Sequence, residues 1–489
     1  MGVNKNNDMV SFICDVLATE SGPKYRRLAL GIEREIREGR LPTGTKLPAH
    51  RLLADQVHLT AGTISRAYQE LERLGLVSSR VGDGTYVKMA EENAVAEEGF
   101  RNALNLDDSV IDLSRNKHIQ GRNVGLLGNT LAEMASQLGM VAELCDYTQE
   151  GGLYRHREAG ALWFWHSQVE AKPEQVICTN GAQHALMSCL LAIVRSGESV
   201  ATEQLSYPGL ISASRLLGFR SVGVDIDEQG LVPESLDDVC SNNRISALYC
   251  TPTLQNPTTS IMSAERREAV ATVCRKHNLI IIEDDAHGLL ASERPPALQV
   301  FAPERTLLIS SLSKAVSAGL RVGYIYAPEA LWHRLAAAIR ASCWMATPLS
   351  LEIASNWILD GTASHLRCQQ IEEVRRRKAL VEPLLNDLNY QSKRDCSHFW
   401  IEIPEPFRAI EIEEQLRQKQ ILVKSSESFA VGRKAVPQFI RASVSSARWD
   451  EQLNQGFQTL AAALNDLPRE DLMGRPDGQS WRQRPLGKH

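Results

Sequence analysis

The sequence predicts two folding units of different class: an N-terminal winged helix-turn-helix, and an α/β body with a large, mostly parallel sheet lobe followed by a small C-terminal α+β lobe. Three observations lead there. Residues 21–88 run helix, helix, turn, helix, hairpin in their apolar periodicity. After Ile111, short β-branched runs alternate with longer helical ones, the pattern of buried parallel strands separated by helices. Charge divides the same way: residues 21–88 hold twelve Lys or Arg against seven acids, a net of +5, while the whole chain carries −5 and the remainder therefore −10. That asymmetry points to an N-terminal module facing a polyanion and a body with another task.

Taken in order, residues 1–20 have no strong period and read as a flexible arm. From Pro23, the residues Leu28, Ile32 and Ile36 recur at helical spacing until Gly39, and LPTGTKLP makes a turn. A helix from about Ala49 to Gln56 is joined by VHLT to another, N-capped by Thr60 and running through Leu74 to stop at Gly75. LVSSR and GTYV then form a hairpin around Gly82 and Asp83. Residues 89–110 hold six acids against one Arg and too little periodicity for a core, which makes them a linker. The body spans 111–468. QVICT precedes the helical GAQHALMSCLLAIV, LIIIEDD follows the helical AERREAVATVCRKH, and RTLLISS runs into an SLSK turn before RVGYIYA. A sheet built this way places its ligand site at the carboxyl ends of the strands. From about Leu349 a long helix leads into the small lobe, with strands near HFWIEI, ILVKSS and QFIRASVS, and residues 469–489 read as a polar tail.

Composition sets the limits. At 489 residues, about three packing units of roughly 150 residues are expected, and 43% hydrophobic with 23% charged residues is ordinary for a globular chain. The longest nearly apolar run, Ala185 to Val194, interrupted only by Ser188, is about half of what a bilayer crossing needs, so no membrane partner is expected. The opening MGVNKNNDMVSF lacks a secretory pattern, which predicts a cytoplasmic product. The ten cysteines show no C-x-x-C pair or zinc-like spacing, so no metal is expected and they read as small buried hydrophobes.

The body holds a set of short segments at strand ends. SSLSKAVSAGLRVGY, residues 310–324, resembles the lysine motif of fold-type I pyridoxal 5′-phosphate (PLP) enzymes, the aminotransferase class I/II family. The resemblance makes Lys314 the catalytic residue, whose amine condenses with the PLP aldehyde, and puts Ser311, Ser313 and Arg321 on the phosphate. TNGAQHAL resembles the family's glycine turn into a helix, whose free N–H groups suit phosphate, so Gly181, Ala182 and Gln183 join that role. IIIEDDAHG resembles the segment whose carboxylate, here Asp284, pairs with the pyridine nitrogen, with Asp285 a structural acid. The family's tyrosine at the cofactor's phenolic oxygen corresponds to His287, an imidazole that can still donate but titrates near neutrality. TPTLQNPTTS resembles the N-P-[TH]-G loop, so Asn256 reaches the same oxygen and the effector, and Thr259 stands where glycine is usual. Tyr207 of EQLSYPG matches the ring that stacks on the cofactor. DYTQEGGLYRHREA resembles the segment whose tyrosine, Tyr147, reaches the phosphate of a neighbouring subunit, with His156 in place of leucine. Arg441 of QFIRASVS matches the arginine that grips an α-carboxylate.

Residues 39–87 resemble the GntR-type winged helix-turn-helix. The resemblance implies double-stranded DNA as partner, contacted by Arg51, Thr60, Thr63, Ser65 and Arg66 from the helices and by Arg80, Gly82, Gly84 and Thr85 at the wing. Ala61 and Gly62 replace the polar residues usual at the start of the recognition helix, shifting weight to shape and phosphate contacts. A GntR-like reader followed by a class I/II body is the architecture of the MocR subfamily of bacterial transcription regulators. It implies a PLP-dependent regulator, a head-to-tail homodimer on repeated half-sites, and an amino-acid or amine effector that displaces Lys314. An active aminotransferase with an accessory winged domain, and a PLP-buffering protein indifferent to amines, stay open at this point.

Overall fold

The structure is a computed structural model that describes residues 23–37, 40–41, 45–57, 59–73, 76–80, 84–87, 109–119, 124–432 and 434–467. The expected arm at 1–20, most of the linker at 89–110 and the polar tail at 469–489 lie outside the described residues. Contacts divide the chain into two compact units near residue 105, and each is taken by itself.

In the N-terminal unit, helices Lys24–Arg37, His50–Gln56 and Ala61–Arg73 pack over a small sheet. Their apolar faces supply Leu28, Ile32, Leu53, Ile64, Tyr68 and Leu71, which close a core with Val77 and Val87 of the hairpin. Each such aliphatic side chain contributes about 1.5–3 kcal/mol on burial, enough for a unit of this size only because nearly every helix stripe residue is fully covered. The Tyr68 hydroxyl donates to the Pro48 carbonyl at 3.0 Å, which satisfies its one buried polar atom. Thr60 caps the third helix as expected, its Oγ1 accepting from the Thr63 N–H at 3.2 Å. The sheet has three strands rather than the two of the hairpin, in the order Lys46–Leu47, Gly84–Val87, Val77–Arg80, all antiparallel. The extra strand comes from the segment read as a turn, because two residues are too few to show a period of two.

The body carries a seven-stranded sheet in the order Val176–Thr179, Gly323–Tyr326, Thr306–Ser311, Ile280–Asp284, Ile245–Cys250, Ser199–Glu203, Arg220–Val224. Every pairing is parallel except the two made by Gly323–Tyr326, which runs against its neighbours. Val, Ile and Leu fill these strands because both faces are covered: one core gathers Trp163, Phe164 and Tyr324, another Leu186, Leu190, Ile282 and Leu335. The small lobe has a four-stranded antiparallel sheet in the order Tyr390–Gln391, His398–Glu402, Phe439–Ser443, Lys424–Ser425, backed by helices Thr362–Val381, Ala409–Gln418 and Asp450–Asn465. The helix expected from Leu349 is two helices, Pro348–Leu359 and Thr362–Val381, with Gly361 at φ 85° between them. The small lobe also recruits the beginning of the body: Ile111–Asp112 pairs in parallel with Ile421–Leu422, and Leu113 enters the core of Phe399 and Phe457. This places residues 113–119 against the strand that carries Arg441, since the Ser443 N–H donates to the Leu113 carbonyl at 2.7 Å.

Candidate functional site

The expected site residues of the body converge where the parallel strands end. Thr179, Asp284 and Ser311 are the last residues of their strands, and Ser311 and Thr179 flank Gly323 on either side in register. Lys314 stands on the turn three residues past Ser311. That turn is tied down by the Ser311 hydroxyl, which donates to the Val322 carbonyl at 3.1 Å and accepts from the Ser313 N–H at 3.1 Å. Gly181 has φ 83° and begins the helix Ala182–Ile193. A Cβ there would meet the Arg321 guanidinium at 2.8 Å, and one on Gly323 would meet the Gly181 backbone at 2.8 Å. The two glycines therefore let the Arg321 guanidinium lie against a helix N-terminus, a hollow of donors suited to a phosphate. Arg321 itself holds φ 54°, a conformation uncommon outside glycine.

Asp284 is buried and its Oδ2 accepts from the Tyr249 hydroxyl at 2.8 Å while Oδ1 accepts from the Ala286 N–H at 3.0 Å. Burial raises its pKa above the usual carboxylate value, and Lys314 nearby works the other way. Burial, with the charges of Arg441 and Arg321, lowers the Lys314 amine from 10.5 to about 8. Its Nζ donates to the main-chain carbonyl of Asn116. His287 departs from expectation: burial first, then Lys314, His398 and Arg441, hold its pKa well below the usual histidine value, so it stays neutral near pH 7 rather than titrating there. Arg441 donates from Nη1 to Asn256 Oδ1 at 2.6 Å and from Nη2 to the Ser114 carbonyl, and its guanidinium lies 4.9 Å from the centroid of the Phe429 ring. Thr259, where glycine is usual, keeps the glycine-like backbone at φ 65°, a strained position for a β-branched residue. Tyr207 donates to Gln183 Oε1 at 3.0 Å, which joins the stacking candidate to the phosphate turn and commits that glutamine oxygen. Asp285 is the structural acid expected, paired with Arg294 at 2.7 Å and accepting from Ser167. His156 is buried and bonded to Glu352 at 2.8 Å.

Tyr147 is not brought into this constellation. It is 76% exposed, with its ring 5.8 Å from the exposed Trp344. Four contributors were missed from the sequence: Ser114, Asn116, His398 and Tyr249. Tyr249 left a trace, a phenol inside the buried strand ISALYC, which needs a polar partner. The main-chain carbonyls of Ser114 and Asn116 left none.

The residues fit PLP. An amine of lowered pKa, a buried carboxylate kept in place by a phenol, and a hollow lined by Arg321, Ser311, Ser313 and a helix N-terminus are the donor set that its aldehyde, pyridine nitrogen and phosphate require.

The N-terminal unit holds the second candidate site. Arg51, Thr60 and Arg66 are exposed, and Thr63 and Ser65 are half-buried. Thr85 is corrected: along Gly84–Val87 alternate residues face inward, Thr85 is 5% exposed, and its hydroxyl bonds that of Ser79 at 3.2 Å, so it is turned away from a groove. Gly84 has φ 127° with the Lys46 stem where a Cβ would go. Gly82 and the Arg80 side chain lie outside the described residues.

Comparison with known proteins assigns a family to each unit. The profile of the family "Aminotransferase class I and II" matches residues 108–460, and that of "Bacterial regulatory proteins, gntR family" matches residues 24–87. The uncharacterized HTH-type transcriptional regulator YdeF of Bacillus subtilis is 30% identical over 457 residues, 91% of this chain and 95% of that protein. The HTH-type pyridoxine biosynthesis transcriptional regulator PdxR of Corynebacterium glutamicum is 28% identical, covering 73% of this chain and 78% of its own. Among solved structures, an archaeal alanine:glyoxylate aminotransferase superposes with a TM-score of 0.68 at 21% identity, over 82% of this chain and 99% of that one, a likeness of fold.

Proposed function

The chain belongs to the aminotransferase class I and II family and carries a gntR-family DNA-binding domain, and from that premise we propose that it is a PLP-dependent transcription regulator whose body senses an amino acid or amine. The fusion is of the MocR type. One observation carries the reading: a gntR module is joined to a body in which Lys314, Asp284, Asn256 and Arg441 still form a single site. Relatives with the same architecture bear the names of regulators.

Bound here, PLP supplies an aldehyde that condenses with amines and a ring that draws electrons. Lys314 holds the aldehyde end, and its lowered pKa leaves part of the amine neutral and able to attack. Asp284, held by Tyr249, keeps a proton at the pyridine nitrogen. Neutral His287 and Asn256 donate toward the phenolic oxygen. Arg441 receives an α-carboxylate in place of the Ser114 carbonyl. Because Arg441 sits on a small-lobe strand and Asn256 on the large lobe, a ligand gripped there sets how the lobes close.

Exposed Leu126, Leu131, Leu138, Tyr147, Trp344 and Leu349 support a homodimer, in which Tyr147 reaches the partner's phosphate site. A head-to-tail arrangement then offers two readers to repeated half-sites. Among the described residues no helix is long and apolar enough to cross a membrane, and a DNA partner favours the cytoplasm. The rival reading, an active aminotransferase, draws on the completeness of the same constellation. The test is paired: gel shifts on the chain's own upstream DNA, with and without PLP and for Lys314→Ala, beside a transamination assay with an amino-acid panel. PLP- and amine-dependent DNA binding is expected; rapid keto-acid formation with no DNA binding would overturn the regulator reading.

A further inference from the structure

The stretch 114–118, absent from the motifs that suggest the site, contributes a side chain to it. Asn116 is 7% exposed, and its main-chain carbonyl takes the Lys314 ammonium. Its side-chain Nδ2 lies 2.9 Å from His398 Nδ1, and His398 Nε2 lies 2.9 Å from the Pro257 carbonyl. Cys396 Sγ also lies 3.4 Å from Nδ1, and the Pro257 contact settles the tautomer of the ring. A carbonyl can only accept, so His398 carries its hydrogen on Nε2; the ring is neutral, burial having lowered its pKa to about 3, so Nδ1 is an acceptor. Asn116 must then present its NH2 to the ring, and the amide cannot be flipped. The carboxamide oxygen is thereby turned away from His398, and it is buried with no hydrogen-bond partner among the described residues. An amide oxygen in that condition is destabilising unless a donor reaches it.

The same residue touches Lys314 Nζ, the nitrogen that an incoming amine must replace. We propose that Asn116 is an effector-binding residue: its Oδ1, oriented by His398 and Pro257, accepts a hydrogen bond from the nitrogen of a primary amine, while Arg441 takes the carboxylate of effectors that have one. This rests on the amine-sensing reading above and deepens it by naming what recognises the amine end. It selects for nitrogen ligands with an N–H to give, and against carboxylates alone, whose oxygens would face an acceptor. The buried Arg441 Nε, also without a partner, marks the other end of the same ligand.

The full chain loaded with PLP is titrated with methylamine, L-alanine and acetate, read by cofactor absorbance and by protection against thermal unfolding. Asn116→Ala is expected to weaken methylamine and L-alanine alike by about tenfold, about 1.4 kcal/mol, at saturating PLP. Arg441→Gln weakens L-alanine by a larger factor than methylamine, because only L-alanine has a carboxylate for Arg441 to take. Asn116→Ser, which keeps an oxygen of shorter reach, falls between. In the cofactor-free chain, the His398 Nδ1 resonance in nitrogen-15 spectra moves in Asn116→Ala, an effect that reads the oriented amide without any chemistry on PLP. Amine affinities within twofold of the parent in both Asn116 variants overturn the proposal and leave amine sensing intact. A parent protein that answers neither amine overturns both readings.

Discussion

The lowered pKa of Lys314 makes PLP capture by the empty protein a measurable function of pH. At pH 7.5 a lysine with a pKa of about 8 is about one quarter neutral, against roughly one part in a thousand for an ordinary lysine, a rate advantage of roughly 200-fold at equal nucleophilicity. The causes have opposite signs, so the charges can be removed one at a time. Arg441→Gln takes away a positive charge that disfavours the ammonium, and the midpoint rises while staying below 10.5. Asp284→Asn takes away a negative charge that favours it, and the midpoint falls. The assay mixes cofactor-free protein with PLP from about pH 6 to about pH 10 and follows the visible absorbance, with a lysine peptide as reference so that titration of the aldehyde cancels. A parent midpoint near the ordinary lysine value, or a shift of both variants in the same direction, would refute the electrostatic account of the site.

Three further outcomes follow from other parts of the molecule. Glu203 is fully buried and its pKa is raised from 4.5 to about 7, so the folded state binds more protons than the unfolded one between those values and this group's contribution declines as pH rises through that window. Glu203→Gln, which keeps an oxygen for the Thr251 N–H, should stabilise the body at pH 8 by about 3 kcal/mol relative to its effect at pH 4, in urea melts at the two pH values. Gly181→Ala puts a methyl group 2.8 Å from the Arg321 guanidinium at a φ of 83°, and PLP affinity measured by absorbance titration should fall at least tenfold, with only about 1–2 kcal/mol lost in stability. Arg51→Ala and Arg66→Ala should each weaken binding to operator and unrelated DNA by similar factors and lower the salt slope by about one in gel shifts over a salt series; a loss confined to the operator would make that side chain a base reader.

What could be read from the sequence divides by the range over which each feature is determined. The recognition helix was legible because Thr60, the apolar stripe Ile64, Tyr68 and Leu71, and the halt at its end all lie within one stretch of chain. The PLP side of the site was legible for a related reason: Lys314, Asp284 and Gly181 each sit at the end of a strand in a local pattern with its own glycines and hydroxyls. Thr85 shows where local reading failed. Its place beside a glycine suggested a wing tip, but the two-residue alternation of the strand turns it inward.

The effector side of the site obeys a different logic. Arg441 is bonded to Ser114, 327 residues away in the chain, and Asn116 to His398, 282 residues away, through groups that no spacing rule connects. Two of the acceptors involved, on Ser114 and Asn116, are main-chain carbonyls, which every residue type supplies. What makes them part of the site is Asp112, whose carboxylate accepts from the Ser114 N–H at 2.9 Å and holds Arg115 and Lys117 at 3.1 and 3.4 Å. This buried acid bends the chain into a strap, and the Ser114 and Ser446 hydroxyls bond its side chain and main chain. The Ser114 carbonyl bonded to Arg441 is a weaker partner than a carboxylate, which is charged and can take two parallel hydrogen bonds. In the amine-sensing reading proposed above, an amino acid gains only the difference between the two, which suits a site that releases its ligand when the concentration drops. The regulator proposed above needs that reversibility, and a strap of main-chain carbonyls is suited to it.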